Sequence, residues 1–125
     1  MIVLDSSVVL ASAFEEAGRI DLSAIIADAA LSAVNLAEVI TKLLERGVPE
    51  AAARAFLEPF EAICHPLSVT QAMQAGLWRP ATRHLGLSMG DRCCLALGLE
   101  LGAEVYTAER KWAGLDLGVR IRVIR

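Results

Sequence analysis

Four carboxylates stand where a folded chain can gather them: Asp5 in IVLDSS, Glu38 in SAVNLAEV, Asp91 in LSMGDRCCLALG and Glu109 in VYTAERKW. Two unit negative charges about 4 Å apart repel by roughly 4 kcal/mol at an effective dielectric near 20. A cluster of four therefore needs protons or a cation. Oxygen-only ligands select a hard divalent ion, Mg2+ or Mn2+, held by a few carboxylates together with waters and a substrate phosphate. Helix N-termini expected at Asp5, Glu38 and Asp91 favour the ionised acids, and so favour the cation over the proton. Each acid also has a plain structural role open to it. Ser88-x-x-Asp91 and Asn35-x-x-Glu38 both fit the capping-box pattern, Asp5 can cap the helix that follows it, and Glu109 can be a surface residue beside Arg110.

The order of elements is what brings such residues together. Met1–Leu4 reads as a strand, and Asp5-Ser6-Ser7 opens a helix through about Glu16. Ile20–Ala30 carries apolar residues at helical spacing, and Leu31–Val34 is a short strand. Asn35 is expected to cap a helix over Leu36–Arg46, ended by Gly47, with Pro49 opening another to about Ala62 that Pro59 bends or splits. Cys64–Leu67 is a weak strand. Ser68 or Thr70 caps a helix toward Leu85 that is interrupted near Pro80, and Gly86 closes it. The Asp91 helix runs to Leu101, and strands are expected at Glu104–Thr107 and Val119–Ile124. Strands alternating with helices call for a mostly parallel sheet covered on both faces, an α/β/α sandwich in a single domain over residues 1–125. Asp5, Glu38 and Glu109 then fall at the carboxyl ends of strands, where such sheets bind their ligands, and Asp91 opens a helix that can reach the same edge.

Bulk properties narrow the options. Apolar residues make up 55% of the chain but aromatic ones only 5%, so the core is aliphatic, and the surplus of apolar surface suggests a dimer or a bound partner. A net charge of -3 argues against holding nucleic acid by bulk electrostatics. Arg110, Lys111, Arg120, Arg122 and Arg125 nevertheless crowd the C-terminal end, where phosphate contact is open to them. Cys64, Cys93 and Cys94 show no metal spacing and read as reduced core residues of a cytoplasmic protein. No apolar run is long enough to span a membrane, and Asp5 interrupts the N-terminal apolar stretch, which lacks the basic start of a signal peptide. Trp78 and Trp112 read as packing residues rather than base-stacking ones. An Asp after the first strand also occurs in phosphoryl-aspartate enzymes, but Ser7 stands where one class of them needs a second Asp, and the acidic pair of a receiver domain is absent. Only His65 and His84 exist for a metal-free, histidine-based cleavage, and neither has a marked setting.

The blocks IVLDSS at 2–7, SAVNLAEV at 32–39, LSMGDRCCLALG at 87–98 and VYTAERKW at 105–112 resemble, in order and spacing, the PIN-domain ribonucleases. The likeness is narrower still to the small toxins of bacterial VapBC-type toxin–antitoxin pairs. It implies a PIN-like α/β/α fold and Mg2+- or Mn2+-dependent endonucleolytic cleavage of RNA. Asp5, Glu38, Asp91 and Glu109 would be the catalytic, metal-holding acids. Ser6, Thr107, Arg92 and Arg110 are the residues to orient substrate. Glu109 departs from the pattern, since the fourth family acid is an Asp in a T-x-D setting and Thr107-Ala108-Glu109 is longer by one methylene. The resemblance further implies a cytoplasmic homodimer and a cognate antitoxin whose basic C-terminal segment blocks the acidic pocket. Any DNA contact would then be made through the antitoxin. The Glu109 departure keeps a rival open: a PIN-like binding module for protein or RNA that has lost catalysis.

Overall fold

The computed structural model describes residues 1–125. Five short strands, β1 (Ile2–Leu4), β2 (Ala29–Ser32), β3 (Cys64–His65), β4 (Glu104–Thr107) and β5 (Ile121–Val123), form one sheet in the order β3-β2-β1-β4-β5. Every pairing is parallel. Between them run α1 (Ser6–Ala13), α2 (Leu22–Ile25), α3 (Ala33–Glu45), α4 (Glu50–Glu61), α5 (Val69–Leu77), α6 (Arg79–Thr82) and α7 (Met89–Leu101). Alternate strand residues serve opposite faces. Val3, Ala30 and Val105 pack with Ala75, Trp78, Trp112 and the apolar run Cys93–Leu97 of α7. Leu4, Ala29 and Leu31 pack with Val8 and Val9 of α1, Val39 and Leu43 of α3, and Leu57 and Phe60 of α4. The sheet is thus the middle of three layers. Both tryptophans are buried, as expected of packing residues.

Chain direction across the sheet reverses between β1 and β4, since β1 leads outward through β2 and β3 while β4 leads outward to β5. The crevice at such a reversal, beyond the carboxyl ends of the strands, is where open parallel sheets bind ligands. Asp5 directly follows β1, and Thr107 ends β4.

The structure departs from the sequence reading at several ends. Helix α1 stops at Ala13 rather than near Glu16, and Glu15 takes a positive φ of 51°. The helical spacing over Ile20–Ala30 gives only the four-residue α2 and one 3-10 turn at Ile26–Asp28. Residues 29 and 30 are instead drawn into register with Ile2 and Val3, because burying them beside β1 outweighs their helical spacing. Strand β2 therefore starts two residues before the expected strand. Ser32, not Asn35, caps α3: its Oγ accepts from the Val34 amide at 3.2 Å. Helix α4 carries Pro59 without ending there, whereas the break near Pro80 is real, with α6 starting afresh one residue before it. Ser68 caps α5, and strand β5 is shorter at both ends than expected.

Candidate metal centre and nucleic-acid cleft

Asp5 is the buried heart of the site, only 1% exposed. Its backbone amide donates to the Tyr106 carbonyl at 2.9 Å, extending the β1–β4 ladder by one residue. Its Oδ2 accepts two hydroxyl protons, from Ser7 at 2.5 Å and from Thr107 at 3.0 Å. Those hydroxyls are turned toward Asp5 by the backbone: Ser7 Oγ accepts from the Ala108 amide at 2.9 Å and Thr107 Oγ1 from the Glu109 amide at 3.0 Å. The turn after β4 thereby directs both O–H groups at one carboxylate oxygen. The other oxygen, Oδ1, is buried with no hydrogen-bond partner.

Burial dominates the electrostatics of this carboxyl. It pushes the Asp5 pKa up to about 7, the Ser7 and Thr107 hydroxyls oppose the rise, and the negative charges of Asp91 and Glu38 add to it. The expectation that a helix N-terminus keeps Asp5 ionised is overturned. Although Asp5 is the N-cap of α1, its side chain makes no capping hydrogen bond, and desolvation outweighs the dipole. A proton can therefore occupy this site near neutral pH and competes there with any cation.

Asp91 enters the site through the turn that opens α7. Ser88 Oγ accepts from the Asp91 amide at 3.1 Å, and the Ser88 amide donates to Asp91 Oδ2 at 2.8 Å, so the capping box is complete. The acid is both cap and neighbour of Asp5. Glu38 comes from the second turn of α3 rather than the first, so the capping-box reading of Asn35-x-x-Glu38 is corrected. Asn35 is instead a buried residue inside the helix, donating to Glu38 Oε1 at 2.7 Å and to the Gly90 carbonyl at 3.1 Å. The fully buried Cys94 of α7 feels all three acids. Burial and then the charges of Asp5, Asp91 and Glu38 push its thiol well above the ordinary range.

Asp5, Glu38 and Asp91 thus form one electrostatic group assembled from β1, α3 and α7. Glu109 is held at the turn after β4 by its amide, which donates to Thr107 Oγ1. It is exposed and lines a neighbouring cleft of about 360 Å3 that begins at Ser7, where the basic Lys42, Arg46 and Arg125 stand among the acidic Glu16 and Glu45. Arg110 and Lys111 continue that cleft past Glu109. Nowhere do three His, Cys, Asp or Glu side chains close on a single point. Even so, the donor set suits a hard divalent cation: three carboxylates, two of which repel the charge of the third, and that third, Asp5, with a buried oxygen that nothing in the chain satisfies. Asp5, Glu38 and Asp91 are the residues that would hold it.

Two expected substrate contacts are corrected. Arg92 is 7% exposed and its guanidinium donates to the Ala75 carbonyl at 2.9 Å and the Ser88 carbonyl at 3.3 Å. It ties α5 to the start of α7 and is not presented to a substrate. Thr107 is buried on Asp5, so it orients an acid. The hydroxyl beside Asp5 is that of Ser7, whereas Ser6 donates to nothing there. A serine two residues after an acid at a helix start was the available signal for Ser7. For Asn35 and Gly90 the sequence held none beyond their place beside Glu38 and Asp91.

The PIN-domain family model matches residues 2–116 of this chain. No curated protein matches it by sequence. Among solved structures, a toxin–antitoxin complex from Klebsiella pneumoniae is similar with a TM-score of 0.75 at 18% identity, covering 100% of this chain and 98% of that one. DNA-bound VapBC from Salmonella typhimurium has a TM-score of 0.74 at 18% identity, over 99% of this chain and 98% of that one. VapC20 of Mycobacterium tuberculosis, a sarcin–ricin-loop-cleaving toxin, has a TM-score of 0.72 at 19% identity, over 96% and 99% respectively. At these identities the likeness speaks for the fold, and the family match, which spans nearly the whole chain, speaks for descent. The chain belongs to the PIN-domain family.

Proposed function

We propose that this protein is a divalent-metal-dependent endoribonuclease that hydrolyses RNA phosphodiester bonds and acts as the toxin of a toxin–antitoxin pair. The observation that carries the reading is Asp5: a buried carboxyl with one unpartnered oxygen, at the sheet's switch point, beside two further acids. Asp5, Glu38 and Asp91 hold the ion, and Ser7 and Thr107 fix the orientation of Asp5. When bound, Mg2+ or Mn2+ supplies Lewis acidity, making water nucleophilic near neutral pH and placing positive charge where the reacting phosphate gains negative charge. Arg110 and Lys111, which continue the cleft past Glu109, give phosphates flanking the scissile bond their counter-charges, whereas Lys42 and Arg125 are paired with Glu45 and Glu16 and Arg46 lies over the Phe14 ring. Glu109 is the fourth acid, exposed on the cleft side, where it meets substrate. The likeness to toxin–antitoxin complexes supports an antitoxin partner; in our reading that partner covers the acidic edge and makes any DNA contact. No helix is long and apolar enough to cross a membrane. We place the protein in the cytoplasm as a homodimer.

One observation favours a second reading, a binding module without catalysis: Glu109 is exposed on the neighbouring cleft rather than buried with Asp5. The deciding experiment is incubation of the purified protein with a mixed cellular RNA pool, with Mg2+, with Mn2+ and with chelator. The expected outcome is cutting that needs metal and is lost in Asp5→Asn, with Glu109→Gln reduced. Intact RNA under every condition, from folded protein free of antitoxin, would favour the binding module.

A further inference from the structure

We infer that Asn35 and Gly90 together position Glu38, and that through them α3 and α7 set the spacing of two acids that come from different helices. Asn35 is completely buried. Its amide nitrogen carries two protons, and both have acceptors: Glu38 Oε1 at 2.7 Å on its own helix and the Gly90 carbonyl at 3.1 Å on α7. With the amide turned over, an oxygen would face two oxygens. The orientation is therefore fixed by chemistry rather than by packing alone. The remaining Asn35 atom, Oδ1, is buried without a partner, so the residue keeps a buried polar atom unsatisfied in order to make those two bonds.

Gly90 completes the cradle from the other side. A Cβ built there would overlap the Cδ and both carboxylate oxygens of Glu38, so the carboxylate rests directly on the glycine Cα. The backbone of Gly90 needs no left-handed conformation, since it is the second residue of a regular helix. The nearest atoms a larger side chain would meet are those of the Glu38 carboxylate, so it would displace that acid rather than the backbone. Gly90 also immediately precedes Asp91, so the Asn35 bond to its carbonyl ties the Glu38 side chain to the turn that carries Asp91. An aspartate at 35 would turn acceptors toward both partners, and a leucine would fill the volume without donating.

This inference rests on the metal-site reading, and the experiment separates the two. Mn2+ affinity is measured by calorimetry for the wild type, Asn35→Leu, Gly90→Ala, Glu38→Gln and the Asn35→Leu/Glu38→Gln pair, with circular dichroism confirming the fold. Loss of a hydrogen-bond partner that orients a metal ligand typically lowers affinity about 10–100-fold, which is the drop expected for Asn35→Leu. Gly90→Ala is expected to follow although alanine is the better helix former. In the Glu38→Gln background Asn35→Leu should add less than about twofold, since it acts through that acid. Wild-type affinity in a folded Asn35→Leu or Gly90→Ala variant would overturn the inference and leave the metal reading standing. A wild type that binds no Mn2+ would overturn the metal reading, and the positioning claim is then decided without metal by exchange of the Asn35 side-chain amide protons. These should exchange slowly in the wild type and roughly tenfold faster in Glu38→Ala; equal rates would overturn it.

Discussion

Asp5 meets two opposed requirements, because the burial that prepares it to hold a cation makes its charge costly when no cation is there. The folded protein binds the Asp5 proton more tightly than the unfolded chain does, with the pKa moved from 3.8 to about 7. Between those values the native state holds the extra proton, so the metal-free protein loses stability as pH rises through that window. At about 1.4 kcal/mol per pH unit the loss reaches up to about 4 kcal/mol by pH 7. Asp5→Asn removes the titrating group, and Asn retains an oxygen for Ser7 or Thr107 to donate to. In chelator the variant should therefore be the more stable protein at pH 7.5, and its stability should vary less between pH 4 and 7. Urea unfolding across that range provides the check; parallel curves for the two proteins would show that Asp5 titrates like an exposed carboxyl. Added Mn2+ should stabilise the wild type and not the variant, since only a ligand that binds the native state shifts the equilibrium. Stability and function then oppose each other at this one side chain.

At the scale of elements, the site depends on how closely α7 lies on the sheet. Gly98 allows that approach: a Cβ there would overlap Val105 Cγ2 on β4 and stand 3.3 Å from Val119 Cγ1 and 3.5 Å from the Ala103 carbonyl. Helix propensity alone says Gly98→Ala should stabilise by up to about 1 kcal/mol. Packing says the reverse, and against a well-filled core the expected outcome is a loss of about 1–3 kcal/mol in urea unfolding. Weaker Mn2+ binding should accompany it as Asp91 is lifted from Asp5. A net gain in stability would show that α7 has room to spare. How far such features are legible in sequence depends on the range of the interaction. Strand Glu104–Thr107 and the Ser88–Asp91 box follow from neighbouring residues, and the structure has them as read. Asp5 and Asp91 could be placed at one edge because strand ends and helix starts are local signals. What could not be read depends on contacts distant in sequence. The strand at Ala29 is made by register with β1, the role of Asn35 by a carbonyl 55 residues away, and the raised Asp5 pKa by depth of burial.

At the scale of the whole molecule, the outer face of α5 is what remains unexplained within one chain. Gln71 and Ala75 turn inward toward α7, while Val69 is 77%, Met73 62% and Leu77 71% exposed. From Leu67 to Trp78 there is no charged residue. Gly76 lies on this helix with no atom within 4 Å of where its Cβ would be, so nothing inside the chain requires a glycine there. Gly76 lies in the last turn of α5, where glycine is tolerated, and its missing side chain leaves room for close approach by a neighbouring backbone. A second copy suits this face. Across a twofold axis each residue meets the same surface on its partner, and a face without charge brings no like charges together even though each chain carries -3 overall. The homodimer proposed above is therefore expected to close over α5, with Val69, Met73 and Leu77 seated against Ala72 and Gly76 of the partner. Sedimentation of the wild type should show a dimer, and Leu77→Glu, which buries a carboxylate of each copy against the apolar face of the other, should show a monomer with Mn2+ affinity unchanged. A wild type that sediments as a monomer at micromolar concentration, or a Leu77→Glu variant that remains a dimer, would move the interface off α5. Because α5 is tied to the start of α7 through Arg92, a Leu77→Glu monomer with weakened Mn2+ binding would show instead that dimer and acidic site are coupled through that clamp.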